Sequence, residues 1–182
     1  MPKQALLVVD MLNDFLDPSG ALFIGPAGRE IIPFVAAKIA EFRAQGEAVI
    51  FLCDAHDPAD PEFQRFPPHA VKGSWGAQII PELSSAPTDY RVEKHFYTGW
   101  HKTNLPELLQ QLQIREAYLV GVCTSICVLE TARDLSLLGY EVAVYREGVA
   151  DLTPEDHEWA LRRLVRLYGV RVVPEMPPET NE

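Results

Sequence analysis

No stretch of this 182-residue chain reaches the roughly 20 consecutive apolar residues that a membrane-crossing helix needs. The apolar run near the start, Ala5 to Val9, is also too short for a secretory leader. The sequence therefore predicts a cytosolic chain with no membrane partner. Cysteine is scarce, with only Cys53, Cys123 and Cys127. An odd number of thiols without a leader argues against a disulfide framework. Positive charge is in deficit, 16 Lys and Arg against 26 Asp and Glu, for a formal net charge of -10. No basic cluster interrupts that balance, and an acidic surface repels phosphate backbones and anionic lipid. Nucleic acid is thus excluded as an expected partner. Internal repeats, low-complexity tracts and linkers are absent too. Residues 1–182 read as one domain, with a frayed Pro- and Glu-rich tail at 174–182.

What is present is short apolar runs alternating with helical patterns. Ala5–Val9, Ala48–Leu52, Ala117–Gly121 and Val142–Tyr145 are continuously apolar, as strands covered on both faces are. Tyr90–Val92 and Val170–Val173 are weaker strand candidates. Ile31, Val35, Ile39 and Phe42 recur at helical spacing before Gly46. Asn104 and Glu107 resemble a cap for a helix over Leu105–Leu112. Leu129, Ala132, Leu135 and Leu138 mark another helix, closed by Gly139. Thr153-Pro154-Glu155-Asp156 is a strong helix start, and Gly169 ends that helix. The alternation predicts an α/β fold, a single-domain, doubly wound, mostly parallel sheet with helices on both faces. The stretch from Asp54 to Thr88 lacks periodicity, and so long an irregular segment in a compact domain is usually functional.

Open parallel sheets bind ligands beyond the carboxyl ends of their strands. Those ends here carry Asp10, then Cys53, Asp54 and His56, then Glu93 and Lys94, then Val122 to Cys127. An acid, an amine and a thiol are therefore expected on one rim. Cys127 falls near a helix start, where the positive dipole end and the Lys94 ammonium are expected to lower the thiol pKa. Backbone N–H groups there suit an oxyanion, and Asp10 suits proton transfer. A second constellation is Asp54-x-His56 followed by Glu62 and His69. Carboxylates with imidazoles suit zinc, iron or manganese. A third group, Phe15, Phe66, Phe96, Tyr97 and Trp100, could sandwich a flat ring. Blander readings stand beside these: a turn-capping Asp10, a surface Lys94, buried thiols, a solvated His loop and core aromatics. A redox role for the pair Cys123 and Cys127 also remains open on the residues alone.

The segments Val8-Val9-Asp10-Met11-Leu12-Asn13-Asp14-Phe15 and Gly121-Val122-Cys123-Thr124-Ser125-Ile126-Cys127-Val128 resemble two motifs of the isochorismatase-like cysteine hydrolases. The first is their opening motif and the second their nucleophile motif. Lys94 lies where their lysine is expected. The resemblance spans Ala5 to Val173. It implies a catalytic set of Asp10, Lys94 and Cys127, with an oxyanion hole formed by the backbone of Cys123 and Cys127. It also implies a cis peptide between Val122 and Cys123.

Within that superfamily the chain most resembles the nicotinamidases. They carry a metal site matched here by Asp54, His56 and His69, with Glu62 where some members place a fourth ligand. The resemblance therefore implies a divalent metal, zinc first. Phe15 and Phe66 match positions flanking a pyridine ring, and Tyr97 and Trp100 match the aromatic wall more loosely. The implied reaction converts nicotinamide to nicotinate and ammonia through a cysteine thioester. Another small amide or ureido compound is the alternative, and a homodimer or tetramer is the implied assembly. Ser125 departs from the Asp common at that position, which leaves the surroundings of Cys127 less acidic than usual.

Overall fold

The computed structural model describes residues 3–83 and 85–174. Except for Pro174, the tail expected to fray lies outside them. Six strands form one all-parallel sheet: β1 Lys3–Val9, β2 Ala48–Asp54, β3 Tyr90–Lys94, β4 Ile114–Val122, β5 Glu141–Ala150 and β6 Arg171–Val173. Their order is β3-β2-β1-β4-β5-β6. The helices are α1 Asn13–Leu16, α2 Pro26–Glu30, α3 Ile32–Ala44, α4 Leu105–Gln111, α5 Leu129–Leu137 and α6 Pro154–Tyr168. None of the described helices is long and apolar enough to cross a membrane.

The two-residue period of a strand divides the core into two layers. Leu6 and Val8 of β1 pack with Phe15, Leu16, Val35, Ile39 and Phe42 of α1 and α3. Ala5, Leu7 and Val9 pack with Leu105, Leu109, Ala132, Leu135, Leu161 and Leu164 of α4, α5 and α6. The sheet is therefore doubly wound. The chain builds outward from β1 to β3 and then returns to lay β4 on the other side of β1. The point where the order reverses lies between β1 and β4, and ligands settle in the crevice such a reversal opens.

Thr153 caps α6, its Oγ1 accepting from the Asp156 N–H at 3.1 Å, and Gly169 ends the helix in left-handed conformation. Two local expectations are corrected. Asn104 makes no side-chain cap; the Leu105 N–H is instead accepted by Thr103 Oγ1 at 3.1 Å. Leu138 is not on the buried stripe of α5 but lies past its end, 52% exposed.

Gly121 sits in β4 at φ 116°, facing β1. A Cβ there would lie 2.0 Å from the Val9 carbonyl oxygen, which is rigid backbone of the central strand. Gly121→Ala is expected to destabilise the fold by about 3 kcal/mol or more, through forced separation of β1 and β4 at the switch point. Chemical denaturation of the variant checks this.

The segment between β2 and β3 is irregular but firmly tied down. His56 and Val71 form a parallel bridge, as the His56 N–H donates to the Ala70 carbonyl and the Lys72 N–H to the His56 carbonyl. Asp14, buried after β1, accepts from the Ala70 N–H at 2.7 Å and the Ala21 N–H at 3.0 Å. Asn13 Nδ2 donates to the Trp75 carbonyl. The Asn13-Asp14 pair thus fixes the long segment against the end of β1.

Candidate active site

Asp10 follows β1 at φ 50°, a left-handed conformation costly for a residue with a Cβ. The bend aims its carboxylate across the sheet rim, where Oδ1 accepts from the Asp54 N–H at 2.8 Å. Lys94, the last residue of β3, is fully buried. Its Nζ lies 2.8 Å from Asp10 Oδ2, donates to Asp54 Oδ1, and reaches Cys127 Sγ at 3.4 Å. Cys127 lies in a wide helical turn, Thr124–Val128, that carries β4 into α5. The peptide joining Val122 and Cys123 at the head of this turn is cis, as the resemblance implies. The predicted acid, amine and thiol are thus brought together.

Burial, with the neighbouring Asp54 charge, raises the Asp10 pKa to about 6 despite the opposing Lys94. Burial alone would lower the Lys94 pKa, but Asp10 and Asp54 hold it well above its usual value. The expectation of a depressed thiol pKa is corrected. Burial pushes the Cys127 thiol well above its ordinary value, with Lys94 only partly opposing. The Cys127 thiol thus stands in hydrogen-bond contact with the Asp10 carboxylate. Lys94→Ala would leave the two buried carboxylates without their cation. It is expected to cost about 3–5 kcal/mol of stability, measurable as a lowered denaturation midpoint.

The metal candidates converge as well. Ligand atoms of Asp54, His56 and His69 lie within 4.8 Å of one another, all three residues buried. His69 Nδ1 lies 2.8 Å from the Pro67 carbonyl, which can only accept, so Nδ1 carries the proton and Nε2 offers its lone pair. His56 Nδ1 lies 3.0 Å from Asp60 Oδ2, with the same consequence for its Nε2. That Nε2 is buried without a hydrogen-bond partner, 3.6 Å from Asp54 Oδ2. A buried orphan lone pair of this kind is costly unless something electrophilic meets it. Glu62 Oε1 stands 3.9 Å from His69 Nε2. Burial would lower the His56 pKa, but Asp54, Asp60 and Glu62 raise it to about 9, so these carboxylates favour a positive charge at Nε2, carried by a proton or by a metal ion that displaces it. This excess of negative charge and the orphaned imidazole nitrogen both fit a divalent cation.

Thiol and metal candidates share one pocket of about 510 Å³, part of it open to solvent. Phe15, Phe66 and Tyr97 line it, beside Leu22, Ile24, Ile126 and Leu152. Phe15 and Phe66 meet the His69 ring edge-on, with centroids 5.5 and 6.2 Å away. Trp100 is corrected: it packs on the α4–α6 side of the core with its ring 6.1 Å from Tyr140, and it does not line the pocket. Phe96 also faces away, stacked edge-on with His101. Of the other rim residues, Cys53 is buried in the α1–α3 layer and Glu93 pairs with Lys72 at the surface.

Sequence reasoning missed Asp60 and Asp151. Asp60 stands four residues after His56, a spacing that could have suggested a second carboxylate. Asp151 is buried at the end of β5, and its Oδ2 accepts from the Ser125 N–H at 2.5 Å. The turn before Cys127 therefore has a carboxylate neighbour although residue 125 is Ser. No local signal announces Asp151, because it arrives from a distant strand.

A family model for the isochorismatase domain matches residues 4–174. Among solved structures, nicotinamidase/pyrazinamidase PncA from Bacillus subtilis is 35% identical with a TM-score of 0.88, covering 93% of this chain and 98% of that one. The pyrazinamidase of Pyrococcus horikoshii, solved in complex with zinc, is 31% identical with a TM-score of 0.88, covering 96% and 100%. N-carbamoylsarcosine amidase from Thermoplasma acidophilum is 32% identical with a TM-score of 0.86, covering 99% of each chain.

Proposed function

We propose, on the premise that this chain belongs to the isochorismatase family and is a hydrolase of amide C–N bonds, that its substrate is nicotinamide and its products are nicotinate and ammonia. The observation that carries this reading is the shared pocket. Cys127 lines it together with Asp54, Glu62 and His69, and the His56 imidazole stands behind them, its ligand atom within 4.8 Å of those of Asp54 and His69. An aromatic wall of Phe15, Phe66 and Tyr97 completes it. A flat ring with a carboxamide at one end and a basic ring nitrogen at the other suits such a pocket.

Asp10 takes the proton of Cys127, and the thiolate adds to the carboxamide carbon. The backbone N–H groups of Cys123 and Cys127 receive the oxyanion. Asp10 then gives its proton to the nitrogen, the C–N bond breaks, and ammonia leaves a thioester on Cys127. Asp10 next draws a proton from water as its oxygen adds to the thioester. The C–S bond breaks, the thiolate recovers the proton, and nicotinate departs. Lys94 stays charged throughout and holds the two carboxylates in place. Asp54, His56, His69 and Glu62 would hold a divalent metal, zinc foremost with iron or manganese as alternatives, which when bound supplies a Lewis-acid anchor for the pyridine nitrogen.

A ureido acid is the second reading, supported by the likeness to N-carbamoylsarcosine amidase. Against it, no Lys or Arg is among the described residues lining the pocket, so a substrate carboxylate meets no cationic side chain there. Ammonia release from nicotinamide, N-carbamoylsarcosine and an aliphatic amide, measured side by side on the reduced protein, separates the readings. Turnover of nicotinamide at least about 100-fold more efficient than of the others is expected, a preference of near 2.7 kcal/mol. Preferred turnover of the ureido acid would replace the proposal with the second reading.

A further inference from the structure

We infer that Asp60 is a positioning residue for the metal site, fixing with one carboxylate both the ring tautomer of His56 and the placement of Glu62. The inference rests on the metal site of the proposed function. Asp60 Oδ2 meets His56 Nδ1 at 3.0 Å, while Oδ1 accepts from the Glu62 N–H at 2.8 Å and caps the short turn Pro61–Gln64. The turn holds the Glu62 carboxylate beside His69. Asp60 itself is anchored, its N–H donating to the Asp57 carbonyl. Both of its oxygens are thus used, one for each side of the site.

An imidazole binds metal through a nitrogen that lacks a proton. An acceptor-only group at Nδ1 keeps the proton there and leaves Nε2 bare, and the orphaned His56 Nε2 is the atom so exposed. Asn cannot serve both contacts, because an amide offers one acceptor oxygen. With that oxygen on the Glu62 N–H, the NH₂ faces His56 Nδ1 and favours the proton on Nε2, the tautomer that blocks ligation. With the amide turned round, the Glu62 N–H loses its acceptor. Ala removes both contacts but leaves the His56 ring free to choose its tautomer.

The test uses the full chain stripped of metal and titrated with zinc against a competing chelator. It is repeated with cobalt(II), whose visible absorption reports ligand geometry. Asp60→Asn is expected to lose about 10–100-fold in zinc affinity with an altered cobalt spectrum, while the thermal midpoint of the metal-free protein stays near that of the parent chain. Asp60→Ala is expected to bind zinc at least as well as Asp60→Asn. A purely structural role predicts the reverse order, since Asn is the closer isostere, so tighter binding by Asn than by Ala would overturn the inference. Parental zinc affinity and cobalt spectrum in both variants would overturn it too, without touching the proposed function. A parent chain that takes up no zinc or cobalt would remove both. Zinc uptake without nicotinamide hydrolysis would sink the substrate assignment and still leave the role of Asp60 measurable.

Discussion

Replacing Cys127 with Ala is expected to stop ammonia release, lowering kcat by a factor on the order of 10⁴ or more while leaving the protein folded. The other thiols cannot substitute. Cys53 is sealed in the opposite layer of the core, its pKa pushed up to about 12 by burial. Cys123 borders the pocket, but burial also pushes its pKa well above the ordinary range, and no hydrogen bond joins its sulfur to Lys94. The truncation removes a single sulfur from a small buried side chain, so the stability cost should be about 1 kcal/mol. Calorimetry of nicotinamide binding to the variant gives the accompanying control. Binding should persist, because Phe15, Phe66, Tyr97 and the proposed metal ligands are untouched. Appreciable turnover by Cys127→Ala would rule out thioester chemistry at this site.

The second large effect concerns metal removal, and its informative form is a comparison of two amides. Nicotinamide and benzamide share size, flatness and the scissile group, but benzamide lacks the ring nitrogen. Stripping the metal is expected to lower kcat/KM for nicotinamide by about 100-fold, near 2.7 kcal/mol of lost stabilisation. Benzamide, which offers the metal no lone pair from its ring, should lose far less, so the stripped protein would treat the two amides alike. Reloading with zinc should restore the difference. Equal losses for both amides would assign the metal to holding the loop rather than the ring. No loss for either would show that hydrolysis does not depend on metal.

The sheet was legible in the sequence because continuous apolar runs such as Ala5–Val9 and Ala48–Leu52 have few other uses in a chain this polar. Asp10, Lys94 and Cys127 could be placed on one rim because parallel topology alone brings strand ends together. Trp100 could not be placed by the same logic. Its neighbour Tyr97 turns into the pocket while Trp100 turns into the core, and the path of the intervening loop decides between them. That path is set by the Gly99 N–H donating to Thr131 Oγ1 and by Thr98 Oγ1 donating to Asp134, contacts made to another helix. The thiol pKa failed for a different reason. Position at a helix start is visible in sequence, but depth of burial is not, and burial, with Asp10 and Asp54 close by, outweighs Lys94. Asp151 shows the general limit: a partner 26 residues away, just past the end of another strand, leaves no mark on the local pattern.

The return of the chain to β1 also sets an order of events during synthesis. Until β4 has been made, no segment of the chain can cover the edge of β1 that β4 pairs in the fold, a row of hydrogen-bonding groups flanked by Leu6, Leu7, Val8 and Val9. That edge waits until β4 has emerged. Unpaired apolar edges invite association with neighbouring chains. Slow translation between Lys94 and Ile114 therefore prolongs the nascent chain's most adhesive stage, and faster decoding of that stretch should raise the yield of soluble protein.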